Sequence, residues 1–296
     1  MDLKLETCIE SALAGGRVAY NCAPSKAEVK QEDIMGSHAI VSKADFASQK
    51  AILETINQKD PLAPILNEEV VEDKRFRDKT ITSKNLEKLE SCGAYVIDEV
   101  DGSSSHNARH YEWNVSIGFI DSLVPLAGAI FAPCLFGGLL VYFNPQGVFE
   151  WTNSLSNPDE KEVNVIERAI KDSYVIFGAD TAVKDKYPKH YQLIGDLSDK
   201  VRTTNMNGSC ALPLALVASG RVDALVQPLQ SPWDYVAGAP MVREAGGEVI
   251  FYEMNTKGDC FKINNLELKH YNPDNKNVGF IAGNKTIVPY IADMIL

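Results

Sequence analysis

Hydrophobic positions change their spacing along this chain, and the changes divide it into elements. From Leu3 to Ala23 the pattern is that of an amphipathic helix, with Asp2, Lys4, Glu6 and Glu10 at helical spacing. A second helix is predicted over Asp45 to Gln58, where Phe46, Ile52, Leu53 and Ile56 form an apolar stripe, and Ala39 to Val41 reads as a short strand between the two. Ile65 and Leu66 lead into Asn67-Glu68-Glu69. The charged stretch EDKRFRDKTITSKNLEKLE then reads as a solvated excursion ahead of the strand Ala94 to Ile97. From Val115 to Phe149 strands repeat, whereas beyond Asn157 helical and strand segments alternate. The seam is expected between Trp151 and Asp159, giving one fold with an N-terminal α+β half (1–152) and a C-terminal α/β half (153–296).

One segment tests whether the chain is soluble. Val124 to Phe143, VPLAGAIFAPCLFGGLLVYF, is twenty residues without a charge, about the length that spans a bilayer. Pro125, Gly128, Pro133, Gly137 and Gly138 interrupt it, so two apolar runs around a Pro-Cys-Leu-Phe-Gly-Gly turn predict a buried β-hairpin instead. Composition agrees, because 45% hydrophobic and 23% charged residues in 296 are ordinary for a folded soluble protein. A net charge of −11 disfavours attraction to nucleic acid or to an anionic membrane, and neither is expected as a partner. An acidic chain can still bind an anionic substrate where cations or aimed backbone N–H groups invert the local field, so metal ions become the expectation. Cys8, Cys22, Cys92, Cys134, Cys210 and Cys260 are scattered without a C-x-x-C pair and read as reduced thiols. With no apolar secretory run among the first residues, the expected location is cytoplasmic.

The chemistry concentrates at Val96-Ile-Asp98-Glu99-Val100-Asp101-Gly102-Ser103-Ser104, where an apolar strand ends in carboxylates, then a glycine and hydroxyls. Hard divalent cations take oxygen ligands, and carboxylates gathered at a strand end can supply several. Gly102 permits a tight turn that would bring the Ser103 and Ser104 N–H groups to a phosphate. The same residues also fit an acidic turn capping a helix. Asn207-Gly208-Ser209-Cys210-Ala211 opens a predicted helix ending near Gly220, whose N-terminus could face an anion. Pro232-Trp233-Asp234 through Gly246-Gly247 reads as one helix opened by Asp234 and stopped by two glycines.

Taken in order, Val-Ser-Lys-Ala-Asp45, Asn-Glu68-Glu69, the Asp98 to Ser104 turn, Gly208-Ser209 and Trp233-Asp234 with Glu-Ala-Gly-Gly resemble the inositol monophosphatase family of lithium-sensitive, magnesium-dependent phosphatases. The resemblance also covers the Ala127-Gly128 to Pro133 segment and the closing Val278 to Asn284 strand. It implies a layered α/β (α+β) sandwich with alternating α-β-α-β-α layers and an active site where Asp234 meets Glu68 and Asp98. It implies two or three Mg²⁺ ions held by Glu68, Asp98, the Val100 carbonyl, Asp101 and Asp234, inhibition by Li⁺, and Asp45 beside a weaker metal position. Asp45, Glu68 and Ser103 would serve catalysis, with Ser103 and Asp45 orienting and deprotonating the attacking water, and Glu69 supporting them. Gly102, Ser103, Ser104, Gly208, Ser209 and Gln227 would face phosphate or substrate. The implied reaction is hydrolysis of a small phosphate monoester, with inositol 1-phosphate first and fructose 1,6-bisphosphate or 3′-phosphoadenosine 5′-phosphate next, by a homodimer.

This sequence departs from the family's Asp-Pro-x-Asp-Gly-Thr turn in having Glu99 for proline and Ser103 for threonine, and it has Gln227 where an acidic residue often touches the sugar alcohol. Other readings fit less well. A haloacid-dehalogenase motif would need aspartate where Glu99 stands, and a carboxylate one carbon longer misses that geometry. His106 and His110 are spaced like zinc ligands but lack the His-Glu-x-x-His glutamate, and surface or substrate-rim histidines are expected. A non-catalytic relative that binds a metabolite or a partner protein would have little need of Glu68, Asp98, Asp101 and Asp234 together. The caspase-like Asp98-Glu-Val-Asp101 string is expected to lie in a buried turn.

Overall fold

The computed structural model describes residues 2–23, 28–29, 40–178, 188–255, 257–274 and 278–296. The first half carries α1 (Leu3–Asn21), β1 (Glu28–Val29), β2 (Ile40–Val41), α2 (Lys43–Lys59), β3 (Ile65–Asn67), α3 (Lys74–Arg77), β4 (Gly93–Asp101), α4 (Ser103–Asn107), β5 (Asn114–Asp121), β6 (Val124–Ala132), β7 (Leu139–Asn144), β8 (Gly147–Thr152) and β9 (Asp159–Glu162). The second carries β10 (Tyr174–Phe177), α5 (Pro188–Ser198), β11 (Thr203–Met206), α6 (Ala211–Ala218), β12 (Ala224–Gln230), α7 (Pro232–Tyr235), α8 (Gly238–Glu244), β13 (Glu248–Met254), β14 (Cys260–Ile263), β15 (Val278–Gly283) and α9 (Ile287–Ile295). Strands β3 to β9 form one sheet in sequence order, and a second sheet runs β11-β10-β12-β15-β13-β14.

Alternation along the strands builds the layers. In β4, Tyr95 and Ile97 point to a core shared with Leu5, Ile9, Ile52 and Ile56 of α1 and α2, whereas Ala94 and Val96 point to a core shared with α6, α8 and Phe251 and Phe280 of the second sheet. The far face of that sheet packs Val175, Val226 and Ile281 on Leu193 of α5 and Ile291 of α9. The order is therefore helices, sheet, helices, sheet, helices, the α-β-α-β-α sandwich that the family resemblance implied. The uncharged stretch is the β6–β7 hairpin, paired from Gly128↔Phe143 to Ala132↔Leu139, and among the described residues no helix is long and apolar enough to cross a membrane.

Three expectations are corrected. Phe46 is 47% exposed and takes no part in the α2 stripe, whose first buried positions are Ala44, Asp45, Ser48 and Gln49. The charged excursion is not wholly solvated, since Phe76, Ile81, Leu86 and Leu89 are buried under it. The segment after Pro232 is two short helices, and Asp234 is the third residue of α7, its carboxylate accepting the Ser231 N–H at 2.7 Å. The first sheet closes with β9, which pairs with β8 from Thr152↔Asp159 to Phe149↔Glu162, and the second begins at Tyr174. The strand reading at Ala39 to Val41 is met by β2 at Ile40 and Val41, while Ala39 lies outside the described residues.

Two paired glycines set the distance between the halves. Gly118 of β5 lies opposite Gly128 of β6, and the α7–α8 junction rests on them. A Cβ on Gly118 would lie 2.8 Å from Val236 Cγ1, and one on Gly128 would lie 3.0 Å from Ala237 Cα. This close seat carries the neighbouring Asp234 down to the end of β4.

Candidate active site: a carboxylate cluster between the sheets

The site forms where β3 and β4 end against α2, α6 and α7. Asp98, Asp101 and Asp234 each bring a carboxylate oxygen to within 4.8 Å of the others, and Glu68, Asp98 and Glu99 do the same. Carboxylates this close repel one another in a buried setting. Burial first, then the charges of Glu68, Asp101, Asp234 and Glu99, raise Asp98 well above the usual carboxylate range. Burial, then Glu69 and Glu68, pushes Glu99 up to about 8. An all-oxygen donor set whose members destabilise each other's charge, one of which also keeps an unpartnered buried oxygen on Glu99 Oε2, fits a hard divalent cation.

Neighbouring residues fix each carboxylate. Gly102 adopts φ +89, a conformation open to glycine, and a Cβ there would approach Glu112 O at 2.9 Å. This turn ends β4 and starts α4, aiming the Ser103 hydroxyl at Asp45 Oδ1 (2.8 Å) and the Val100 carbonyl (2.9 Å). Asp45 is 1% exposed, and its other oxygen accepts the Ser42 N–H and hydroxyl at 2.8 and 2.7 Å in a capping box at the start of α2. Asp45 is thereby oriented so that one oxygen serves Ser103. Glu68 is anchored by its N–H to the Ile97 carbonyl at 3.2 Å, and Val100 N–H donates to Asp98 Oδ1 at 3.1 Å.

Asp101 has a second duty that the sequence did not disclose. Its carboxylate accepts the Cys210 and Ala211 N–H groups (2.9 and 2.7 Å), the Asn114 amide (2.6 Å) and the Ser209 hydroxyl. It caps α6 from another part of the chain, so the α6 N-terminus predicted to face an anion faces Asp101. Burial raises the Asp101 pKa, and these hydrogen bonds oppose the rise. Gly208 lies across from the Ser103–Ser105 turn, its Cβ position 3.6 Å from Ser105 Oγ.

The remaining predicted residues divide. Ser103 and Ser104 line the turn at the mouth of the cluster, Ser104 exposed and Ser103 half-buried. Gln227 is 4% exposed in β12, its side chain lying over Gly178, where a Cβ would fall 1.1 Å from Gln227 Oε1. His106 corrects its surface reading: it is buried edge-on against Trp113, with Nε2 2.9 Å from the Ala19 carbonyl, while His110 is exposed. Asp98 to Asp101 are buried, as expected of that string. Gln49 and Asn67 were missed; both donate to Glu99 Oε1, at 3.0 and 3.2 Å, and to the Glu69 carbonyl. Their signal was a polar residue at each position where the α2 stripe and the β3 run should be apolar. A separate cavity of about 620 Å³ is lined by Arg168, Arg202 and Arg221, but Arg168 and Arg202 are paired there with Asp223 and Asp172.

The sequence model of the inositol monophosphatase family matches residues 5–291. A fructose-1,6-bisphosphatase/inositol-1-monophosphatase of Aquifex aeolicus is 26% identical over 290 residues, covering 97% of this chain and 93% of that protein. Nus factor SuhB of Escherichia coli is 27% identical over 237 residues, 80% of each chain. Among solved structures, the extragenic suppressor protein suhB of Bartonella henselae superposes with a TM-score of 0.76 at 21% identity, covering 99% of this chain and 98% of that one.

Proposed function

Because the chain belongs to the inositol monophosphatase family, we propose that it is a Mg²⁺-dependent phosphatase acting on a small phosphate monoester, inositol 1-phosphate first among the candidates. The observation that carries this reading is the meeting of Asp98, Asp101 and Asp234, drawn from both halves of the chain, beside the Asp45–Ser103 hydrogen bond. Glu68, Asp98, the Val100 carbonyl, Asp101 and Asp234 would hold two or three Mg²⁺ ions. Bound divalent cations lower the pKa of coordinated water and neutralise charge on a transferring phosphoryl group.

The chain's own residues supply orientation and proton transfer. The Ser103 hydroxyl has one proton, and donating it to Asp45 leaves oxygen lone pairs facing outward to accept a hydrogen bond from the attacking water. Asp45 is the base at the inner end of that relay, its other oxygen held by Ser42 so that the carboxylate cannot turn away. The N–H groups at Gly102 to Ser104, on a half-buried turn, would offer donors to phosphate oxygens, and Gly208 leaves room across the mouth. Glu69 supports the cluster through its carbonyl, fastened by Gln49. Gln227, buried in β12 with its side chain over Gly178, would complete the substrate-facing set. A cytoplasmic homodimer sensitive to Li⁺ completes the reading.

The test is Mg²⁺-dependent release of inorganic phosphate from inositol 1-phosphate, fructose 1,6-bisphosphate and 3′-phosphoadenosine 5′-phosphate, with chelator and Li⁺ controls. Selective release from the first, abolished by both controls, supports the reading. The SuhB relative, named as a Nus factor, motivates the rival in which this chain binds a partner without turnover. A folded chain that binds Mg²⁺ but releases phosphate from none of the three would favour that rival.

A further inference from the structure

Outside the ligand set just named, two buried oxygens border the same carboxylate cluster without a donor. Glu99 is 1% exposed and Asn67 is 8% exposed, and among the described residues Glu99 Oε2 and Asn67 Oδ1 meet no hydrogen-bond donor. An oxygen stripped of water without a donor costs on the order of 1–3 kcal/mol, so two on residues that touch each other call for a partner. Among the described residues no protein group fills that place: the amides of Gln49 and Asn67 converge on Glu99 Oε1 and leave Oε2 without a donor. A Glu99 carboxylate oxygen also lies within 4.8 Å of ligand oxygens on both Glu68 and Asp98, a spacing that one cation with 2.0–2.6 Å bonds to oxygen can bridge.

Topology makes Glu99 an independent contributor. Asp98 and Glu99 are successive residues of β4, and the ladder to β5 shifts register between Asp98 and Asp101. Asp98 turns toward Asp101 and Asp234, while Glu99 lies on the α2 side, its carbonyl accepting the Ser48 hydroxyl at 2.7 Å. Glu68, at the end of β3, reaches both. A proline at this place in the family's turn would supply no such oxygen.

Resting on the phosphatase reading for the existence of the metal centre, we propose that Glu99 is a direct ligand of the divalent cation shared by Glu68 and Asp98, with Asn67 Oδ1 facing the same cation. The donor set on this side is then three carboxylates and an amide oxygen. Mg²⁺ usually keeps several waters and takes one or two carboxylates, whereas larger cations accept more protein oxygens. This side of the centre therefore prefers Mn²⁺ to Mg²⁺.

Mn²⁺ titration of the full-length, chelator-stripped chain, followed by the electron paramagnetic resonance signal of free Mn²⁺, tests this without any substrate. Glu99→Gln keeps the size and the Gln49 contact but weakens the charge, and is expected to lose at least tenfold in affinity for its tightest Mn²⁺, with Mg²⁺ competing relatively better. Glu99→Asp, one carbon too short to reach, is expected to lose affinity as well. Near-ultraviolet circular dichroism identifies which variants keep the native fold. A change of twofold or less in any natively folded variant overturns the proposal. Phosphate release by the unmodified chain is scored separately: its absence with Glu99-dependent Mn²⁺ binding removes the phosphatase reading alone, and its presence with Glu99-independent binding removes this inference alone.

Discussion

Asp98 and Asp101 are three residues apart in one cluster, yet their amide variants should move stability in opposite directions. Asp101→Asn can keep an oxygen at the Oδ2 position, where the Cys210, Ala211, Asn114 and Ser209 donors converge, but it removes the charge that strengthens all four bonds and sets an NH₂ group against the Cys210 N–H that also meets Oδ1. At about 1 kcal/mol lost from each of these four charge-assisted bonds, less what relief of the buried charge returns, the loss is about 3 kcal/mol. Asp98 accepts the Val100 N–H and faces carboxylates within 4.8 Å. One like-charge pair at that distance costs about 3 kcal/mol at an effective dielectric of 20. Proton uptake relieves part of it, and about 1–2 kcal/mol should return in Asp98→Asn. An unfolding entropy of about 2.1 cal/mol/K per residue makes these changes about 5 °C downward for Asp101→Asn and about 2–3 °C upward for Asp98→Asn. Differential scanning calorimetry in chelator at pH 8 measures both, and phosphate release should be nearly abolished in both. An Asp101→Asn protein that melts no lower than the parent would refute the capping of α6 by Asp101. An Asp98→Asn protein that melts lower would refute the repulsion.

Three further outcomes follow from other contacts. Ser103→Ala should lower kcat by about 10²-fold with an unchanged melting temperature, while Ser103→Thr, which keeps the hydroxyl facing Asp45, should stay within about fivefold of the parent in the same assay. Burial, then the Lys189 charge, holds His190 down to about 4 from an ordinary 6.5, so below pH 6.5 the unfolded chain takes up a proton that the folded chain refuses. Stability should fall by up to about 3 kcal/mol between pH 6.5 and 4 and lose nothing more from this group below that; urea midpoints at pH 7, 5.5 and 4.5 should show a shallower fall in His190→Gln, and parallel curves would discount the effect. Gly128→Val should press on Ala237, cost about 1–3 kcal/mol and raise the Mg²⁺ concentration needed for half-maximal phosphate release, because Asp234 rides on that junction; an unchanged Mg²⁺ requirement would separate the glycine seat from the site.

The parts of this fold that were legible in sequence are those whose signal is local. The β6–β7 hairpin announced itself through Pro133, Gly137 and Gly138 inside an apolar run, and the β4 site through carboxylates clustered after Val96-Ile97. Phe46 misled because periodicity shows which residues could share a face but not which face meets the sheet. The split of the Asp234 segment into α7 and α8 was hidden because its cause, the Gly118 and Gly128 seat, lies more than a hundred residues earlier in the chain. The same holds for the Asp101 cap on α6, where donors and acceptor are adjacent only once both sheets have formed. Gln227 was placed by resemblance, and nothing near it in sequence indicates that its side chain fills the space above Gly178.

The misread stripe of α2 explains how the sandwich and the site are joined. From Ile52 onward the buried face of this helix is apolar, but in its first turns that face is Asp45, Ser48 and Gln49. Each of the three is spent on β4 or the turn after it: Asp45 accepts from Ser103, Ser48 donates to the Glu99 carbonyl, and Gln49 donates to the Glu99 carboxylate. Buried polar side chains cost stability unless paired, so a helix whose core face turns polar at one end must have partners waiting there. The partners are the carboxylate-rich end of β4, whose own polar atoms would be stranded under an apolar helix. Site and helix polarity therefore require each other. Replacing this face by the hydrophobic stripe that periodicity suggests would complete the core only by taking the Gln49 donor from the Glu99 carboxylate, the Ser48 donor from the Glu99 carbonyl and the Asp45 acceptor from Ser103.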